Sequence, residues 1–139
     1  MKSFKVEISR EGFKIHGFIQ KLGKDLLISI WGGPQPHIGA VGMAIPRPSL
    51  KNAERWSATS SNFTFLNHKE DLLVKKISEK IASQTRAHVV VTAGLHWDNL
   101  SPREIALIER LTSKVGDLIL KKLKAEPKSK AAAKEAFNL

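Results

Sequence analysis

From the third residue on, apolar and polar side chains alternate. Phe4, Val6 and Ile8 are interleaved with Lys5, Glu7 and Ser9, and beyond Glu11-Gly12 the alternation resumes through Phe13, Ile15 and Phe18. A period of two is that of a strand with one buried face, so residues 4–22 predict a β-hairpin. After a turn at Gly23-Lys24-Asp25, Leu26 to Trp31 is a continuous apolar strand, broken by the loop Gly32-Gly33-Pro34-Gln35-Pro36-His37. Ile38 to Ile45 predicts another strand. Its small residues Gly39, Ala40, Gly42 and Ala44 admit a backbone, helix or ligand at close range. Pro46-Arg47-Pro48 is expected to end it, residues 47–60 read as polar loop, and Asn62 to Leu66 as one more strand with Phe63 and Phe65 on a shared face.

The period then changes. Asn67-His68-Lys69-Glu70 has the form of a capping box, with Asn67 accepting a backbone N–H and Glu70 reaching back, and predicts a helix through about Ser83. Val74, Ile77 and Ile81, with Leu73 beside them, give it one apolar stripe. Ala87 to Ala93 is a strongly β-forming run suited to a central strand, and residues 94–100 are a loop. Ser101 as N-cap, Pro102 at the first helical position and Glu104 at the third start a long helix, with Ile105, Ile108, Leu111, Val115, Leu118, Ile119 and Leu123 at helical spacing. Pro127 stops it. The pattern predicts one α+β domain over residues 1–125, a mainly antiparallel sheet packed against two principal helices. A basic tail rich in Ala and Lys, residues 126–139, follows; there is no internal repeat.

At 139 residues with 42% hydrophobic content, the chain can bury one core without staples. No apolar run approaches the roughly 20 residues of a membrane span, and the N-terminus lacks the apolar segment of a secretory signal. The absence of cysteine excludes disulfides, thiol catalysis and Cys-ligated metal sites, and fits a cytoplasmic address. Lys and Arg total 23 against 13 Asp and Glu, a formal charge of +10 that favours anionic partners. Residues 121–139 hold six lysines and two glutamates, so much of the excess lies at the C-terminal end. No RNP pair, helix-turn-helix or zinc-finger pattern accompanies the charge, so nucleic acid is not the expected partner.

Three loops each place a histidine at a strand end or helix start: 32–39 with His37, 67–71 with His68, and 94–99 with His96. Their glycines allow backbone N–H groups to approach an anion, the helix N-terminus adds partial positive charge, and Lys69 can neutralise a phosphate. Trp31 and Trp97 offer flat faces to a ring system. Together these suit an aromatic phosphate such as a flavin nucleotide. Plainer readings stand beside this one: the glycines and prolines as turn punctuation, Trp31 as core, His16 and His88 as structural strand residues. The three histidines have no metal-ligand spacing, and no nucleophile elbow is present. Asp98 with Glu70 or Asp71 could pair as acid and base, but helix-start electrostatics already account for Glu70 and Asp71. The residues point to binding or delivery, with no catalytic or metal-ligating set, rather than to an enzyme.

Gly32 to Val41, His68-Lys69-Glu70-Asp71 and Ala93 to Asn99 together, in order and spacing, resemble the LpdD-type prenylated-flavin chaperone family over roughly residues 4–123. That family supplies the small accessory subunit of prenylated-flavin-dependent hydroxyarylic acid decarboxylases. The resemblance implies a fold like the proteasome assembly chaperones, a homodimer, and a role in delivering or stabilising prenylated FMN, or FMN, for a decarboxylase. It carries over Gly33, His37, Gly39, His68, Lys69, His96, Asp98 and Asn99 as a cofactor or partner surface. The tail after Lys124 does not belong to its pattern, and Trp97 occupies a variable place within it. The alternative is a protein-assembly chaperone that works by protein contacts without a small ligand.

Overall fold

The computed structural model describes residues 2–65 and 70–126. Six strands, β1 (Ser3–Arg10), β2 (Phe13–Leu22), β3 (Asp25–Gly32), β4 (Ala40–Pro48), β5 (Trp56–Thr64) and β6 (Val89–Leu95), form one sheet in the order β1-β2-β3-β6-β4-β5. Helix α1 (Asp71–Thr85) lies between β5 and β6, and α2 (Pro102–Ala125) follows β6. The fold is a single α+β domain. Every pairing is antiparallel except β3 with β6, which run parallel in the middle of the sheet. A parallel pair needs a crossover, and the β4–β5 hairpin with α1 supplies it.

Both helices pack on one face. A Cβ at Gly17 of β2 would lie 2.9 Å from Val115 of α2, and one at Gly42 of β4 would lie 2.8 Å from the Val74 carbonyl oxygen of α1. Those two glycines set the helices close to the backbone. Between the layers, Ile15, Ile19, Ile28, Ile30 and Val91 from the sheet meet Val74, Ile81, Leu111, Val115 and Ile119 from the helices, all essentially without exposed surface. The expected α1 stripe is buried at Val74, Ile77 and Ile81. In α2, Ser101 accepts the Glu104 N–H at 3.1 Å while Glu104 accepts the Ser101 N–H at 3.0 Å, so the capping box is complete.

Several expectations are corrected. Residues 47–60 are loop only over 49–55: β4 runs on to Pro48, and β5 starts at Trp56. The β4–β6 ladder ends at Ala44 opposite Val89, so beyond that point β4 is an edge on the β6 side and tolerates Pro46 and Pro48. Ile105 is not part of the buried stripe and is 46% exposed; Leu107, Thr112, Gly116 and Leu120 are buried in α2 instead. Helix α1 extends to Thr85 and is closed by Arg86 in the left-handed conformation. Its N-cap is Glu70, without a side-chain capping bond, and Asn67 of the expected capping box lies outside the described residues. Of the basic tail, only Glu126 is described; it pairs with Lys21.

Candidate functional site

The C-terminal ends of the parallel strands β3 and β6 lie side by side, with Trp31 opposite Gly94 and Gly32 opposite Leu95. The two following loops therefore leave the sheet together, and the start of α1 reaches the same place. The His96 N–H donates to the Gly32 carbonyl at 3.2 Å, and the Gly39 N–H to the Ala93 carbonyl at 2.8 Å. A Cβ on Gly33, which has φ +102°, would collide with the His96 backbone, and one on Gly94 with the His37 carbonyl. A Cβ on Gly39 would sit 2.6 Å from a Glu70 carboxylate oxygen. Gly33 and Gly94 are glycines because the backbone of the neighbouring loop occupies the space a side chain would need, and Gly39 because the Glu70 carboxylate does.

Glu70 is the buried centre of this junction, 6% exposed. Its Oε1 accepts the Leu95 N–H at 3.1 Å, and His37 Nε2 stands 4.0 Å from the same oxygen. His37 Nδ1 donates to the Gln35 carbonyl at 3.0 Å, since a carbonyl can only accept. His96 faces solvent: its Nε2 lies 3.0 Å from Asp98 Oδ1, with the side chains 64% and 84% exposed. Asn99 is exposed and takes the left-handed conformation at φ +59°, which asparagine tolerates well.

Of the expected site residues, the structure thus gathers Gly33, His37, Gly39 and His96 by interlocked backbones, with Asp98 held by His96 and Asn99 one residue on. His68 and Lys69 lie outside the described residues. The start of α1 is more acidic than an anion site wants, because Glu70 caps it and Asp71 occupies its first turn. The tryptophans do not form a free stacking platform. Trp97 is wedged edge-on against Phe13, centroids 5.3 Å apart at 87°, and covers Gly32. Trp31 is half-buried on the open face of the sheet, where His16 stacks on it at 5.2 Å and 14°; His16 in turn pairs with Glu7 at 3.1 Å. His88 precedes β6 and faces Asp25 at 3.6 Å. Among the described residues, no group of three or more His, Asp or Glu side chains is placed to hold a metal ion, and no helix is long and apolar enough to cross a membrane.

Local capping, the role the sequence suggests for Glu70, does not account for its long-range bond to Leu95. The available signal was Gly94, since a glycine inside a strand-forming run marks a close approach.

Comparison with known proteins agrees with this architecture. The model of the family described as prenylated flavin chaperone LpdD-like domain matches residues 9–124, a span that takes in all three loops. Protein LpdD of Lactiplantibacillus plantarum (strain ATCC BAA-793 / NCIMB 8826 / WCFS1) is 25% identical over 127 residues, covering 91% of this chain and 88% of that protein. A solved structure described as a novel chaperone complex for yeast 20S proteasome assembly aligns with a TM-score of 0.52 at 14% identity, over 88% of this chain and 99% of that one. At that identity the likeness is one of fold.

Proposed function

The chain belongs to the prenylated-flavin chaperone LpdD-like family, and from that premise we propose that it is a non-catalytic chaperone that binds prenylated FMN or FMN and stabilises or delivers it for a decarboxylase. The observation that carries this reading is the junction of the 32–39 and 94–99 loops, where a rigid backbone frame presents the exposed His96–Asp98 pair beside the half-buried His37 ring. The donor set fits the pyrimidine edge of a flavin, which offers one N–H between two carbonyls: Asp98 accepts and an imidazole N–H donates. Gly33 and Gly39 shape the frame, Asn99 turns the chain after Asp98, and Lys69 meets the phosphate, with His68 beside it. The working unit is a homodimer in the cytoplasm, and the chain does no covalent chemistry of its own.

A second reading, an assembly chaperone acting through protein contacts alone, is favoured by the apolar residues exposed on the sheet, among them Met43 and Phe63. Titration of the full chain with FMN and prenylated FMN, followed by flavin fluorescence, separates the two. The flavin reading expects saturable binding that weakens about tenfold in His96→Ala and Asp98→Ala, as loss of one charge-assisted hydrogen bond implies. Absence of saturable binding to either flavin would leave only the protein-contact reading.

A further inference from the structure

The two edges of the sheet differ in how they are protected. At a sheet edge, every second residue turns its backbone N–H and C=O away from the ladder, and proteins blunt such edges with charged side chains or proline. On β1, Lys5, Glu7 and Arg10 put charge along the edge, and the Lys122 ammonium of α2 reaches the Lys5 carbonyl at 3.5 Å. On β5, the opposite edge, the nine residues Trp56–Thr64 contain no charged side chain and no proline. Among the described residues, no strand pairs with its outer side.

The flanks of this open edge are basic at one end. Arg47 of β4, opposite Ser57, donates from Nε to Thr59 Oγ1 at 2.7 Å, which lays its guanidinium across β5 on the face away from the helices. On the helix side, the Arg86 guanidinium stands 4.5 Å from the centroid of the Trp56 ring. Among the described residues, neither arginine is ion-paired with a carboxylate. Lys75 and Glu79 of α1 both meet Ser60, so that flank of the helix faces β5. Two turns before Glu79 on the same flank, Leu72 is 65% exposed.

We propose that the outer edge of β5 receives an extended acidic segment of another protein as an added strand, whose backbone continues the ladder and whose carboxylates meet Arg47 on one face and Arg86 on the other. Successive side chains of such a strand point to opposite faces, so cations on both faces select acidic residues at odd and even positions alike. An apolar residue toward its other end covers Leu72. The charges also set aside two other occupants. Strand β5 has no carboxylate, so a second copy paired edge to edge offers the arginines nothing. The tail holds Lys128, Lys130 and Lys134 against Glu135, the wrong sign for this edge. At about 3.3 Å per residue the edge is roughly 30 Å long, enough for a strand of ordinary length. Its Trp56 end lies across the sheet from the 32–39 and 94–99 loops, because β4 runs from Ala40 beside Ala93 to Pro48 beside Trp56. The inference goes beyond the flavin reading and holds or fails apart from it.

The probe is a phage-displayed library of random decapeptides, selected on the full chain. Enriched sequences should be rich in Asp, Glu and β-branched residues. The strongest binder, made as a free peptide, is then N-methylated at every second amide in each of the two possible frames. Methylation in the frame that faces β5 should weaken binding by about a hundredfold or more, and in the other frame by less than about threefold, because only one set of N–H groups enters the ladder. Arg47→Glu and Arg86→Glu should each weaken binding by about tenfold or more, and added salt should weaken it further. Lys121→Glu on α2, the same change of charge elsewhere, should leave it within about twofold. The methylation frames decide the matter should an arginine variant fail to fold. Equal effects of the two frames would mean docking by side chains alone and overturn the proposal, as would enrichment of neutral or basic peptides, or no enrichment. Tighter peptide binding by about tenfold after truncation before Lys128 would give the edge to the tail, and binding that weakens as the chain is concentrated would give it to a second copy. Either result overturns the proposal.

Discussion

Glu70 Oε1 accepts the backbone N–H of Leu95 across 3.1 Å, joining the N-cap of α1 to the last residue of β6 over 25 positions of sequence. The carboxylate is buried, and Gly39 lies against it. Removing it leaves the part-buried Leu95 N–H without this acceptor and opens space under the 32–39 loop. Glu70→Ala should therefore lower the unfolding free energy by about 1.5–3 kcal/mol, the range for a hydrogen bond to a charged group. Glu70→Gln keeps an acceptor for Leu95 and should lose less. Urea denaturation of the three proteins measures both; equal stability of Glu70→Ala and wild type would deny Glu70 its role as the tie.

The glycines divide into those that cannot change and one that can. At Gly94 an added methyl meets the His37 carbonyl, and backbone cannot yield as a flexible side chain does, so Gly94→Ala should cost more than about 3 kcal/mol or prevent folding. At Gly116, inside α2, the nearest atoms to a built Cβ are those of Ile77 at 3.5 Å, ordinary contact distance. Gly116→Ala should then stabilise the protein by about 0.5–1 kcal/mol through helix propensity. Thermal melts of the two variants, moving in opposite directions from wild type, are the expected result.

Regular periodicity made most of the fold legible. Alternation found β1 and β2, and the Ser101-Pro102-Glu104 signature found the start of α2. What escaped was whatever depended on a partner distant in sequence. Strand β5 is a sheet edge whose Ser and Thr residues carry no apolar alternation, so nothing local distinguishes residues 56–61 from loop. The prolines of β4 read as a stop because only the sheet order reveals that β4 has lost its β6 neighbour there. For the site, the three loops were visible as sequence motifs, but their glycines read as turn formers or anion cradles. Only the backbone of the opposite loop shows why Gly33 and Gly94 must be glycine.

Glu79 gives the fold an acid-sensitive contact between α1 and β5. Burial pushes its carboxyl up, but hydrogen bonds from Lys75 and Ser60, with the charges of Lys75 and Arg47, outweigh that and hold it below its ordinary value near 4.5. A depressed carboxyl contributes stability that is fully present above its unfolded value and is lost as pH falls through the folded one. Melts of wild type and Glu79→Gln should therefore differ above about pH 5 and converge below the folded value. The Lys75 pair is largely solvent-facing, so the gap should be under about 1 kcal/mol and shrink with salt.

Lys69 tests the phosphate end of the proposed flavin site. It immediately precedes Glu70, the N-cap of α1, and the next residue is Asp71. Two carboxylates at that helix start offset the attraction the helix dipole would give an anion, so a bound phosphate depends on a cation in reach, and Lys69 is the nearest in sequence. Lys69→Ala should weaken binding of FMN and prenylated FMN by a factor on the order of ten, since one charge-assisted hydrogen bond contributes about 1.5–3 kcal/mol. Riboflavin, which has no phosphate, should bind both proteins equally. Truncation before Lys128 is the control, because nonspecific attraction to a chain of net charge +10 should fall with the tail lysines and with added salt, whereas a specific contact should survive both. If Lys69→Ala leaves FMN affinity intact while truncation abolishes it, the phosphate is held by diffuse charge and not at the start of α1.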